Sequence, residues 1–141
     1  MNIAKKIFYI LSSLWIMYIF GGSFPYKFSN HEHTQYIFGT IGDWMSITIA
    51  PVVGELFSAY GGYVIGIGEV IIFIALFIAL VLTAMKKPLA QKLFGFGWLG
   101  ASMLMAGAVF FHLATPLGIE VNGDGGSLFR AAVSILILGS V

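Results

Sequence analysis

Long apolar stretches separated by short polar ones run the length of this chain, and four of them predict membrane-spanning helices. A helix needs ~20 apolar residues, rising 1.5 Å each, to cross the hydrocarbon of a bilayer. The pattern predicts spans at about residues 7–24, 61–85, 93–115 and 127–141. The last stretch would reach only about 22 Å as a helix, so we expect it to end inside the membrane or to continue beyond Val141.

The segment at about residues 30–58 is apolar but interrupted by Asp43, Pro51 and Glu55. Proline lacks the N–H that a helix interior requires, so Pro51 predicts a break. If 37–57 crossed the membrane, the basic pair at 86–87 would move to the outer side, against the usual distribution of Lys and Arg. We therefore predict a broken interfacial helical segment on the outer side, with a fifth span at 37–57 as the alternative.

The predicted fold is all-α: a single integral membrane domain over residues 1–141, built as a four-helix bundle with this interfacial segment added. Composition agrees, because 59% of residues are hydrophobic and only 9% are charged, whereas soluble domains carry about a quarter charged residues. The net charge of +1 argues against a nucleic-acid partner. The absence of cysteine excludes disulfides, thiolate nucleophiles and cysteine-ligated clusters.

The basic residues predict the orientation of the chain in the membrane. One side of the predicted bundle carries Lys5, Lys6, Lys86, Lys87 and Lys92. The other side carries Lys27 and Arg130. Cytoplasmic loops carry the excess of Lys and Arg, so both termini are expected in the cytoplasm, in a bacterial inner membrane. The basic start and apolar first stretch also fit a cleaved signal peptide, but we favour an uncleaved helix.

Three ionisable residues fall within the predicted spans, namely Glu69, His112 and Arg130. Such residues point to function and should have partners, because a lone charge in hydrocarbon is costly. Glu69 shares a helical stripe with Gly62 and Gly66, and small residues mark contacts between membrane helices. His112 lies on a similar stripe of small residues, so we expect both side chains to point into the bundle.

Arg130, near the start of its helix, opposes the helix dipole and therefore requires a carboxylate. Glu69 is the first choice of partner, with Asp124 and Glu55 behind it. Lys27, Glu55 and Asp124 are further candidates on the outer side.

Three interpretations of Glu69, His112 and Arg130 remain open. They could form a buried clamp that binds nothing, or line a pocket for a quinone headgroup, a lipid headgroup or a small anion. Phe110 and Phe111 would wall such a pocket. In the third interpretation, Glu69 couples transport to a proton.

No metal site is predicted from the histidines at positions 31 and 33. On a helix this spacing points the two side chains apart, and no third or fourth ligand is near in sequence. Haem is disfavoured because His112 is the only histidine within a predicted span. The cofactor is therefore unknown, with quinone the ligand that the pocket interpretation would accommodate.

The order of features resembles the DoxX-like family of small four-helix membrane proteins. The stretch "FGGSFPYKF" is similar to the end of that family's first helix, with Lys27 in the lysine position. In "YGGYVIGIGEVIIFIALF", Glu69 takes the glutamate position of the second helix, and "AGAVFFHLATP" and "DGGSLFRAAVSILILG" resemble the later helices. The resemblance implies a subunit linked to redox chemistry, as in thiosulfate:quinone oxidoreductase.

We therefore expect a small accessory or structural subunit of a larger membrane complex that is not catalytic on its own. A quinone-binding subunit of a membrane oxidoreductase is the first alternative, and a small proton-coupled transporter is the second. The expected partners are the lipid bilayer and other membrane subunits or further copies of this chain.

Overall fold

The chain folds into five α-helices joined by short connections, with no strand in the residues described. The computed structural model describes residues 2–140. Its helices are α1 (Ile3–Phe28), α2 (Glu32–Thr48), α3 (Pro51–Ala84), α4 (Leu89–Ala114) and α5 (Ser127–Gly139). Within this range, α1, α3 and α4 are long and apolar enough to cross a membrane, which makes this an integral membrane protein.

Four helices, α1, α3, α4 and α5, pack side by side. Gly21 of α1 lies under Phe73 of α3, whereas the later Lys27 lies beside the earlier Gly66, so α1 and α3 are antiparallel. Helices α3 and α4 are also antiparallel, as are α4 and α5. One end of the molecule therefore holds the start of α1 and the α3–α4 turn, and the other end holds α2 and the loop at 115–126.

The main core lies among these four helices. Its fully or nearly fully buried members are Ile16, Phe20, Ile72, Leu76, Ala79, Ala90, Phe94, Trp98, Ala101, Met105, Ala132 and Ile135. Small residues let α3 side chains pack directly on the α4 backbone at two points: a Cβ on Gly97 would lie 2.5 Å from a Leu76 methyl, and one on Gly100 would lie 3.0 Å from Ile72. This close approach is the usual basis of helix association in membranes, where the lipid is as apolar as the protein.

A second, smaller core defines what we call the cap: α2, residues 51–64 of α3, and the loop at 115–126. Its buried residues are Ile41, Met45, Leu117 and Val121, with Ile37, Trp44, Phe57 and Phe111 packed around them. Helix α2 folds back along the first half of α3, and the loop after α4 packs on α2. The cap therefore occupies the end of the molecule where the sequence predicts the interfacial segment.

Helices α2 and α3 approach most closely where glycines face each other. A Cβ on Gly42 would lie 2.7 Å from the Gly54 carbonyl oxygen and 2.8 Å from Ser58 Cβ. A Cβ on Gly61 would lie 2.9 Å from the ring of Phe38. The hairpin is thus held by contacts between backbones that larger side chains would separate.

Two helices extend beyond the membrane spans that the sequence predicts. The first predicted span ends at about residue 24, and α1 continues through Pro25 to Phe28. The second begins at about residue 61, and α3 runs without interruption from Pro51. In both cases packing against a neighbouring helix extends the helix, since Phe28 contacts the surface at Gly66 and Gly54 packs on α2.

The break predicted at Pro51 is present, because α2 ends at Thr48 and Pro51 opens α3. Proline is well suited to the first turn of a helix, where its missing N–H costs nothing. The interfacial segment therefore consists of one separate helix and the start of α3. Helix α5 spans 13 residues, and the final residue of the predicted fourth span, Val141, lies outside the described residues.

The substitution Gly42→Ala should destabilise the cap. Its new methyl group would meet the backbone of α3 rather than the end of a flexible side chain, and such overpacking typically costs about 1–3 kcal/mol. The control is Gly107→Ala in α4, where a Cβ meets nothing within 4 Å and the alanine favours the helix by up to about 1 kcal/mol. Thermal unfolding in detergent, followed by circular dichroism, should show a lower Tm for Gly42→Ala only. Equal Tm values for both variants would contradict the close α2–α3 packing.

Candidate functional site

Glu69 lies on the buried face of α3, inside a membrane-spanning helix. Only 2% of the residue is exposed. Gly62 and Gly66, which precede it on the same stripe, are also buried, so the glycine stripe correctly predicted the direction in which Glu69 points. A carboxylate in such a position requires a counter-charge, since an unpaired ion in hydrocarbon costs ~2.5–3.5 kcal/mol even on insertion scales.

The counter-charge is Lys27, in the last turn of α1. Its Nζ lies 3.1 Å from Glu69 Oε1. Ser23, one turn earlier on α1, donates its hydroxyl to the same carboxylate oxygen at 3.2 Å, and Lys27 Nζ donates to Ser23 Oγ. These three side chains, Ser23, Lys27 and Glu69, form what we call the polar triad.

The directions of α1 and α3 explain how the triad forms. Side chains on a helix lean toward its N-terminus. In antiparallel helices, Lys27 therefore leans toward Ser23 and the membrane interior, while Glu69 leans toward the cap, so the two charges approach each other. Gly66 permits this approach, because a Cβ there would lie 3.3 Å from Lys27 Cβ.

The expectation that Arg130 is the partner of Glu69 is wrong. Arg130 is exposed at the start of α5, and its guanidinium donates to the Gly125 carbonyl at 2.8 Å. Among residues 2–140, the Lys27–Glu69 pair is the one ion pair formed. The backbone carbonyl of the preceding turn, rather than a carboxylate, receives the Arg130 hydrogen bond.

His112 is buried as expected, but it too lies apart from the hydrogen bonds of the triad. Its Nδ1 donates to the Gly118 carbonyl at 2.7 Å, and its ring packs at a steep angle on Phe129 of α5, with centroids 5.5 Å apart. His112 therefore ties the end of α4 to the loop and to α5. No hydrogen bond in the described chain joins Glu69, His112 and Arg130 into the predicted cluster.

Phe110 and Phe111, the predicted pocket walls, lie near the end of α4 and pack against the cap. Phe111 packs on Phe57 with ring centroids 5.5 Å apart, and Phe110, half-exposed, lies 6.4 Å from Trp44. Two shallow apolar grooves, one along α5 and one between α3 and α4, mark the surface, and neither is lined by these rings or by Glu69.

One atom of the triad has no partner. Glu69 Oε2 is buried without a hydrogen bond in the structure, although Oε1 accepts two. A carboxylate oxygen can accept further hydrogen bonds, and buried polar atoms are usually satisfied. The triad therefore offers one free acceptor, suited to a hydroxyl group or a water molecule.

The remaining outer-side candidates lie in the cap. Glu55 is exposed near the start of α3. Asp124 organises the loop before α5: it accepts backbone N–H groups from Val121, Gly126 and Leu128 at 3.0, 2.7 and 3.2 Å. Burial opposes the ionisation of Asp124, but these bonds and the Ser127 hydroxyl outweigh burial and lower the pKa of the carboxyl.

The histidines at 31 and 33 do not point apart. His31 caps α2 with extended backbone dihedrals, and its Nδ1 accepts the N–H of His33 at 3.2 Å. The two rings therefore stack, with centroids 5.3 Å apart. In the described residues, no group of three or more His, Cys, Asp or Glu side chains converges as a metal site would require.

The sequence marks Lys27 as an outer-side candidate and, through the DoxX-like resemblance, as the lysine near the end of the first helix, but it does not single out Ser23 as a functional residue. The signal that could have found them is their spacing of four residues, which places both on one face of a helix. Pro25 hides that signal, because it predicts that the helix has already ended.

Removing either charge of the triad should destabilise the protein, and Lys27→Met should do so more than Glu69→Met. Breaking a buried pair by removing one partner costs about 3–5 kcal/mol. Lys27 is 15% exposed and flexible, so without Glu69 its ammonium can turn toward water, whereas Glu69 cannot. The double variant Lys27→Met/Glu69→Met should recover most of the lost free energy of unfolding. Equilibrium unfolding in mixed micelles measures this free energy for the two single variants and the double variant, with the exposed Lys92→Met as the control. A loss in the double variant equal to the sum of the two single losses would refute the pairing.

The Asp124 loop should contribute stability that depends on pH. Because the folded pKa lies below its ordinary value of 3.8, the contribution is complete above about pH 4 and is lost as the pH falls through the folded value. Asp124→Ala should therefore lower the free energy of unfolding at pH 7 by about 0.5–2 kcal/mol, the typical worth of a helix cap. The difference in free energy of unfolding between this variant and the parent protein should become smaller at lower pH. The exposed Asp43→Ala variant is the control. A difference that does not change with pH would contradict this role of the carboxylate.

Comparison with known proteins adds no family assignment. No family model matches the chain, and no curated protein and no solved structure is significantly similar to it. The DoxX-like resemblance therefore stays an expectation, and the chain is assigned on its structure as an all-helical integral membrane protein with three helices able to span a bilayer.

Proposed function

We propose that this protein is an accessory subunit of a larger membrane complex and that it contacts a partner subunit through the end of its cap. The observation that carries the proposal is an exposed apolar surface at the α2–α3 turn. Four side chains form this surface, which we call the tip: Ile47, Ile49, Val52 and Leu56, exposed by 90%, 61%, 59% and 55%.

In this proposal the tip lies beyond the reach of lipid, and the length of α3 supports that position. Its 34 residues extend about 51 Å, whereas the hydrocarbon is ~30 Å thick and ~20 residues cross it. With the basic pair at 86–87 at the cytoplasmic surface, the crossing ends near residue 64. The remaining ~20 Å of helix carries the tip past the headgroups, where exposed apolar side chains mark a protein interface.

The charge around the tip indicates what kind of partner fits it. Residues 28–85 contain no Lys or Arg, and four exposed carboxylates, Glu32, Asp43, Glu55 and Glu120, lie in the cap. A second copy of the chain would oppose like charges. The partner is therefore a different subunit with an apolar patch bordered by basic side chains, since complementary charge fixes the choice of partner.

The triad supports the accessory function from within the membrane. Lys27 and Glu69 bind each other and join α1 to α3. This pair fixes the packing of the two helices next to the cap. In this proposal the pair acts as the buried clamp, with Lys27 in place of Arg130. The DoxX-like resemblance adds the expectation that the complex is linked to redox chemistry.

A quinone-binding subunit is the second candidate. Its support is the unpartnered Glu69 Oε2, which could accept a hydrogen bond from the hydroxyl of a quinol. It would require the helices around the triad to open, because neither surface groove reaches Glu69. The proton-coupled transporter uses the same carboxylate and would require a water path that opens to both sides.

Replacing the apolar tip should release the partner without unfolding the protein. We expect the parent protein, purified in mild detergent from its native membrane, to migrate on native gels as an assembly with a second polypeptide. Ile47→Ser/Ile49→Ser should reduce the amount of that polypeptide at least tenfold, because it removes the most exposed apolar contacts. Tyr36→Ser, an exposed residue elsewhere on α2, is the matched control and should retain it.

Three results would count against the accessory subunit. A parent protein that migrates alone, or a tip variant that keeps its partner, would refute contact through the tip. A quinol in the organic extract of a protein that migrates alone, lost in Glu69→Gln, would support the quinone candidate instead. Equal Tm values for the parent and the tip variant are required to exclude unfolding as the cause of any loss.

A further inference from the structure

The packing of α1 against α5 leaves an open seam on the membrane-facing surface. Helix α1 packs mainly on α3, and α5 mainly on α4, so α1 and α5 meet at few points. One hydrogen bond crosses between them, from Trp15 Nε1 to Ser134 Oγ at 2.9 Å. Along α5 near this bond, Arg130 and Ile137 are exposed, and Phe129 and Val133 are half-buried.

A groove of about 270 Å³ follows this face of α5. It is lined by Phe129, Arg130, Val133, Ser134 and Ile137. The Ser134 hydroxyl is already committed, since it accepts from Trp15 and donates to the Ala131 carbonyl. Apart from Arg130, the groove therefore offers an apolar surface, as an acyl chain requires.

Arg130 places a positive charge at the cap end of the groove. One guanidinium nitrogen binds the Gly125 carbonyl, and the other N–H donors have no partner among residues 2–140. The nearby Asp124 carboxylate is occupied by its own loop and forms no ion pair with Arg130 in the described structure. Arg130 lies about 5 Å below the first residue of α5, at the depth where long cationic side chains reach toward headgroups.

We propose that the α1–α5 seam is a binding site for an anionic phospholipid of the leaflet at the cap end. Its phosphate is held by the free N–H donors of Arg130, and one acyl chain lies along Phe129, Val133 and Ile137. Guanidinium groups bind phosphate through paired, charge-assisted hydrogen bonds, and basic groups beside gaps between membrane helices recognise anionic headgroups.

The free donors of Arg130 favour a lipid over a protein helix. A helix laid over the seam would cover the guanidinium of Arg130, whose free donors would then need a buried acceptor. The lipid supplies that acceptor in its phosphate.

Native mass spectrometry of the purified protein tests the site. The protein is mixed with equal amounts of phosphatidylglycerol and phosphatidylcholine that carry identical acyl chains. We expect about a fivefold preference for phosphatidylglycerol, the worth of one favourable charge contact near the membrane surface. Arg130→Gln should abolish the preference, while Lys92→Gln, an exposed basic residue at the opposite end of the molecule, should keep it.

Two further measurements locate the lipid and identify its source. Val133→Phe fills the groove and should reduce the binding of both lipids while Tm is unchanged. Glycerol phosphate, the soluble headgroup alone, should not compete at a hundredfold excess, because it lacks the acyl chain. The proposal would be overturned if Arg130→Gln kept the preference for phosphatidylglycerol, if Val133→Phe bound both lipids as well as the parent protein does, or if glycerol phosphate competed. Cross-linking of an equimolar membrane polypeptide at the seam would also overturn it.

Discussion

A charged side chain within the hydrocarbon needs an opposite charge beside it. In this molecule, the Lys27–Glu69 pair therefore constrains how α1 and α3 can pack. The ammonium is at the end of one helix and the carboxylate is well inside another, so the pair forms only when α1 and α3 lie antiparallel and in one register. A shift of α3 by one turn would leave Glu69 unpaired in an apolar core. The pair thus selects one alignment from several that apolar side chains alone would tolerate, in the way that polar groups set register in other helical assemblies.

The glycines of α3 allow the close approach between helices that the Lys27–Glu69 pair requires. Gly66 lets α1 approach the helix at the level of Lys27, and Gly61 and Gly62 let α2 approach its first half. One helix therefore holds neighbours on two sides through the same kind of contact. Two packed regions result, the main core and the cap, and both depend on small residues of α3.

The sequence predicted the all-helical class, the break at Pro51 and the inward direction of Glu69, because hydropathy, proline chemistry and small-residue stripes are local signals. It did not predict Lys27 as the partner of Glu69. That choice depends on how far α1 continues past Pro25 and on the depth at which two helices distant in sequence meet. Likewise, the stacking of His31 on His33 depends on His31 being a cap residue rather than a helical one, which periodicity does not reveal.

Helix α3 is continuous from the cap into the bundle of membrane-spanning helices, so the two regions move together when α3 tilts. A rigid rod of about 51 Å that tilts by 10° about its C-terminal end carries the opposite end sideways by ~9 Å. Small rotations within the bilayer, of the size that a change in membrane thickness produces, are therefore magnified at Ile47 and Ile49. A subunit seated there would experience the mechanical state of the membrane directly, without any change in the fold of this chain.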